Sequence, residues 1–226
     1  MDFDKFTFKE ILENINQWIE TDVINPEDIP SIELYMDQVT TFMDKELART
    51  KRHPDDKILT KTMINNYSKN DLLPPSNKKK YSKDHIILLI YIYYMKNFLS
   101  ISDIKTLLSP MTNRYFNDFR DDSTDNSSLS MSDIYAEIYT LEKKYTAKLK
   151  ENIDEICDIA DSEFKEASEY LKAFALVSML SYDIYAKKQL IEHLLDSVTT
   201  ESSDNSASKE PKTKKKKPDK QAKPNE

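Results

Sequence analysis

The chain has 226 residues, 33 of them Lys or Arg and 40 Asp or Glu, for a net charge of −7. It contains no glycine, although average usage of about 7% would place roughly 16 in a chain of this length. Phosphate-cradling loops, dinucleotide fingerprints and nucleophile elbows need glycine where backbone approaches a ligand or takes a positive φ, so those chemistries are excluded. The single cysteine, Cys157, excludes an intrachain disulfide and Cys-rich zinc sites, and His53, His85 and His193 form no HExxH pair. No enzyme, metal or cofactor is expected. The longest apolar run, residues 86–95, is about half the length of a membrane-spanning helix. The N-terminus lacks the basic-then-apolar order of a signal peptide, so a soluble, cytoplasmic protein is expected.

Hydrophobic spacing predicts an amphipathic helix over residues 6–20, ended by Asn25-Pro26 and Ile29-Pro30. Ser31 can cap a second helix from Ile32 to about Leu47, with Leu34, Tyr35, Val39, Phe42, Met43 and Leu47 inward. A polar loop follows through Asp55-Asp56. Thr60 is placed to cap a third helix from Lys61 to about Asn70, ended by Asp71 and Pro74-Pro75. Ser82 caps a strongly apolar helix over residues 84–98, and Ser100 with Asp103 reads as a capping box for a short helix through Leu108, closed by Pro110. Strand signals are confined to residues 78–82.

Residues 117–130 are polar and acidic; Asp118, Asp121, Asp122 and Asp125 do not have calcium-loop spacing. Two long helical patterns follow. The first carries Ile134, Ile138, Leu141, Tyr145, Leu149, Ile153 and Ile156. The second, over 164–198, carries Leu171, Phe174, Val177, Leu180, Ile184, Ile191 and Leu195. They read as an antiparallel pair hiding one apolar seam, within the chain or against a second subunit. From residue 199 the Ser, Lys and Pro content predicts disorder.

Charge is unevenly laid out. Residues 60–83 carry +5 and residues 200–226 carry +3, which leaves −15 on the rest of the −7 chain. A basic patch on an acidic body attracts a polyanion in one orientation. Lys61, Asn65 and Lys69 share one face of the predicted third helix, beside Thr62 and Asn66. Asn reads adenine edges bidentately in the major groove, and Lys takes guanine or phosphate. Lys78, Lys79 and Lys80, on a protruding loop, suit the flanking phosphates. The run from Lys212 to Lys217 suits salt-screened, sequence-blind attraction to nucleic acid.

The span from Leu59 to Leu108 resembles the winged helix-turn-helix of the MerR regulators. The matching residues are Tyr67, Leu72-Leu73-Pro74, Lys79, Tyr81-Ser82, and Ser102-Asp103-Ile104-Lys105 before Leu107-Leu108. With the second helix included, the match covers residues 31–110. It is most similar to an uncharacterised bacterial domain-of-unknown-function family, the YkrK-like group. The chain departs from the MerR pattern at Asn65-Asn66, where Arg-Tyr is usual, at Asp71, where Gly is usual, and at Lys79 in place of a wing Arg. The loop between its first two helix-turn-helix helices is also longer.

The residue patterns and the resemblance together imply an all-α protein with five parts. These are an N-terminal helix and linker at 1–30, a MerR-like winged helix-turn-helix at 31–110, an acidic linker at 111–130, a C-terminal helical hairpin at 131–198 and a disordered basic tail at 199–226. The implied function is a DNA-binding transcriptional regulator. Lys61, Thr62, Asn65, Asn66 and Lys69 would face the major groove, with Lys78, Lys79 and Lys80 on the backbone. The C-terminal helices would form a homodimer that sets two reading helices about one DNA turn apart. The alternative is a protein-interaction module that keeps the fold without specific DNA binding.

Overall fold

The structure, a computed structural model, describes residues 8–18, 23–116, 129–164 and 168–204. The architecture is all-α: seven helices among the described residues, with one short two-stranded ribbon. In chain order these are α1 (Phe8–Trp18), β1 (Leu34–Tyr35), α2 (Met36–Glu46), α3 (Lys61–Lys69), β2 (Lys80–Tyr81), α4 (Lys83–Met95), α5 (Ile101–Tyr115), α6 (Met131–Glu163) and α7 (Glu169–Asp204).

α4 is the hub. Ile86, Ile87, Leu88, Leu89, Ile90 and Ile92 are all fully buried, as expected of a helix that is apolar all round. Ser82 starts it, and His85 Nδ1 accepts the Ser82 N–H at 3.0 Å. The other elements wrap this hub. Val39, Met43 and Leu47 enter from α2 and its end, Ile64 and Tyr67 from α3, and Ile104 and Leu108 from α5. Met131 and Tyr135 at the start of α6 and Leu195 near the end of α7 complete the same core. Tyr135 Oη donates to the Ile24 carbonyl at 2.7 Å, tying α6 to the start of the core domain.

α6 and α7 run antiparallel, each about 50 Å long, and their far ends form a second, smaller core. There Cys157 and Ala160 of α6 meet Leu176 of α7 and Phe8 and Ile15 of α1. The N-terminal helix thus packs on the hairpin tip, and the Phe8 N–H reaches Glu169 Oε2 at 2.5 Å. Burial, with Asp154 and Asp158 adding to it, pushes the Cys157 thiol up, which keeps it protonated and inert.

Several boundaries differ from the sequence reading. Residues 34–35 form a strand where a helix from Ile32 was expected, because Leu34 and Tyr35 pair with Tyr81 and Lys80. α2 then begins at Met36, with Gln38 Oε1 accepting the Tyr35 N–H at 2.9 Å. Pro110 does not close α5, which continues to Tyr115. Met111 and Tyr115 pack on the core, and this tertiary gain outweighs the missing backbone bond at Pro110. The expected linker from 111 is therefore helix as far as Tyr115; residues 117–128, with the four Asp of the acidic stretch, lie outside the described residues. The second long helix starts at Glu169 rather than Phe164 and runs to Asp204, into the stretch expected to be disordered. The remaining tail, with the Lys212–Lys217 run, lies outside the described residues. Among the described residues no helix is long and apolar enough to cross a membrane.

Candidate nucleic-acid interface

α3 begins where Thr60 Oγ1 accepts the Met63 N–H at 3.2 Å. It ends in a six-residue Schellman turn: the Leu72 N–H bonds the Tyr67 carbonyl at 2.9 Å and the Asp71 N–H bonds the Ser68 carbonyl at 3.2 Å. This turn requires a left-handed residue at Asp71, whose φ is 53°. Tyr67 and Leu72 are both buried, supplying the apolar contact that accompanies the motif.

Buried Ile64 and Tyr67 fix the rotation of α3 about its axis. The opposite face is then set: Lys61, Thr62, Asn65, Asn66 and Lys69 are all exposed. α2 does not cover them, although Lys61 Nζ forms an ion pair with Asp37 in the first turn of that helix.

The lysine loop is a tight hairpin. Asn77 and Lys80 exchange backbone bonds of 3.1 and 2.8 Å, and Lys78 and Lys79 form the two-residue tip with φ of 49° and 66°. Both are exposed. Lys80 is different: it belongs to β2, is half-buried, and its Nζ lies 3.8 Å from Glu33 and 5.7 Å from the centre of the Tyr35 ring. The three lysines therefore do not act as one protruding cluster; two stand at the tip and one is held against the ribbon. Lys61 and Lys80 reach Asp37 and Glu33 respectively, so the start of α3 and the hairpin flank the β1–α2 junction from two sides.

The sequence reading passed over the segment that joins α2 to α3. It folds around the end of α4 and brings Lys51, Arg52 and Lys57 into one cleft with Lys96. The signal was the density of cations between residues 49 and 57, but Lys96 is remote in sequence and its membership follows only from the fold. Among the described residues, no group of three or more His, Cys, Asp or Glu is placed to hold a metal ion.

These features define an all-helical domain with a two-stranded ribbon, carrying a polar helix face and a lysine-tipped hairpin. The chain belongs to the family described as Domain of unknown function (DUF1836), whose model matches residues 24–138. That span opens at Ile24, which receives the Tyr135 bond, and closes at Ile138, which packs on the same core. No match was found among curated proteins or among solved structures.

Proposed function

We propose that this protein is a DNA-binding transcriptional regulator built on a MerR-like winged helix-turn-helix, in which α3 reads the major groove. The observation that carries the reading is the exposed row Lys61, Thr62, Asn65, Asn66 and Lys69 on a helix whose rotation the core fixes, next to a hairpin tipped by Lys78 and Lys79. Asp71, with its positive φ, stands where the MerR pattern has glycine, so the departure in residue type leaves the required conformation in place. Asn65 and Asn66 supply base-edge contacts, and the lysines supply phosphate contacts.

A homodimer through α7 belongs to the same proposal. Tyr170, Phe174, Val177 and Ile184 follow heptad spacing and are all exposed, while the same stripe continues as Ile191 and Leu195 into the main core. An exposed apolar stripe of this length marks an association surface.

The test is titration of the purified protein against genomic fragments at two salt concentrations, beside the triple variant Lys61→Ala, Asn65→Ala, Lys79→Ala. Fragment-selective binding that survives moderate salt and weakens at least about tenfold in the variant is expected, with a shallower salt dependence. Equal, sequence-blind binding by both proteins would overturn the reading.

A second reading, a protein-interaction module on the same fold, is favoured by two observations. Lys61 and Lys80 are already partnered by Asp37 and Glu33, and the most extensive exposed apolar surface lies on α7, not near α3.

A further inference from the structure

We propose that the cleft between the segment joining α2 to α3 and the C-terminal end of α4 is a binding site for phosphate groups. The cleft has a volume of about 290 Å³. Lys51, Arg52, Lys57 and Lys96 line it against a single carboxylate, Asp56. Lys51 is paired with Asp44 at 2.7 Å. Arg52, Lys57 and Lys96 have no carboxylate within salt-bridge distance among the described residues. The Asp56 carboxylate accepts the His53 N–H at 2.9 Å, closing the turn that lies between Arg52 and Lys57.

Lys96 is the floor of the site. Its Nζ donates to the Ile58 carbonyl at 3.0 Å and lies 4.5 Å from the centre of the Tyr93 ring. An ammonium has three protons, so this geometry leaves donor capacity facing the cleft. Burial alone lowers the Lys96 pKa, the mark of a desolvated charge with no anion beside it. Thr50 and Tyr93 hydroxyls lie 2.5 Å apart and hold one wall, while the Asn97 amide stands at the rim. The Arg52 guanidinium offers a planar fork, and the two lysines offer point charges from other directions. Donors arriving from several sides match the oxygens of a tetrahedral dianion better than a planar monoanion. The excess of cations also outweighs the negative end of the α4 dipole.

Phosphate can come from a free small molecule or from a nucleic-acid backbone, and the site does not depend on α3 reading bases. The decisive experiment follows backbone amide resonances of the isotopically labelled full chain. One sample receives sodium pyrophosphate and another a random-sequence DNA duplex, both at constant ionic strength. The expected result is a saturable shift of the Lys51, Arg52, Lys57 and Asn97 amides. It should be weakened at least about tenfold in Arg52→Gln/Lys57→Gln, the loss of roughly one charge-assisted bond. Both positions are exposed, so the variant keeps the fold, and Lys96→Met provides an independent loss from the floor. Shifts with pyrophosphate and none with duplex assign a free anion. Shifts with duplex, competed by pyrophosphate or seen with duplex alone, assign the nucleic-acid backbone. No saturable shift with either probe, or identical titrations of wild type and the glutamine variant, overturns the site.

Discussion

Lys78, Lys79 and Asp71 each occupy the left-handed region of backbone space, where a side chain crowds the following carbonyl at a cost of about 1 kcal/mol per residue. In a chain without glycine, turns fall to Pro, Asn, Asp and Ser. Asp71 fits that rule, but two lysines do not, and no local pattern in residues 76–82 announces a two-residue hairpin with Lys at both central positions. The conformation is imposed by the pairing of Leu34 with Tyr81, a partner more than forty residues away. Replacing Lys79 by glycine is therefore expected to raise stability by about 1 kcal/mol, read as an upward shift of the thermal midpoint. The same change should weaken DNA binding if the tip contacts phosphate. A lower midpoint would mean that the left-handed tip is not strained.

At the scale of elements, helix starts were the most legible. Thr60, Ser82 and Ser100 stand at the expected N-caps, because capping chemistry is local, whereas the expected cap Ser31 gives way to Tyr35 at the start of α2. Ends and faces were less so. Pro110 is tolerated inside α5 through contacts made by Met111 and Tyr115, which no window around the proline reveals. The long helices show the same limit in reverse: Leu141, Phe174, Val177 and Ile184 have the spacing of an inward stripe, yet they face outward. Periodicity identifies an apolar stripe but not what covers it. Phe174→Glu and Ile184→Glu test the cover. Sedimentation at micromolar concentration should show a dimer for the wild type and a monomer for either variant, with helical content retained. A wild-type monomer under those conditions would remove the α7 stripe as a dimer interface.

On the scale of the whole molecule, the sequence located the hub, since Ile86–Ile92 is too apolar to lie anywhere but inside. It did not show that Ile24, Tyr135 and Leu195 meet there, because their separations along the chain carry no pattern. The convergence buries phenols. Burial pushes the Tyr67, Tyr91 and Tyr135 hydroxyls up, with neighbouring Glu142 adding to the effect on Tyr91 and neighbouring phenols to that on Tyr135. A folded-state pKa above the unfolded value of about 10 gives stability that is complete below pH 10 and is lost as pH rises beyond it. Thermal midpoints should therefore fall steeply in alkaline buffer. Tyr91 Oη has no hydrogen-bond partner among the described residues, so Tyr91→Phe should be neutral or stabilising by up to about 1 kcal/mol at neutral pH and should soften the alkaline fall. Tyr135→Phe loses the Ile24 bond and should cost about 1 kcal/mol. A Tyr91→Phe protein less stable than wild type at neutral pH would mean that its hydroxyl is satisfied.

The seat of α1 on the hairpin tip carries a consequence for how the molecule is assembled in time. Phe8 meets Glu169 across 161 positions, and α7 returns from that tip to place Leu195 in the main core. Neither apolar cluster can close until α7 has been synthesised. Helical proteins usually fold fast because their contacts are local, but here the closing contacts are among the most distant in the chain. α1 leaves the ribosome long before α7 and must wait with its apolar face uncovered, and that interval is when the nascent chain is most exposed to aggregation and to chaperones.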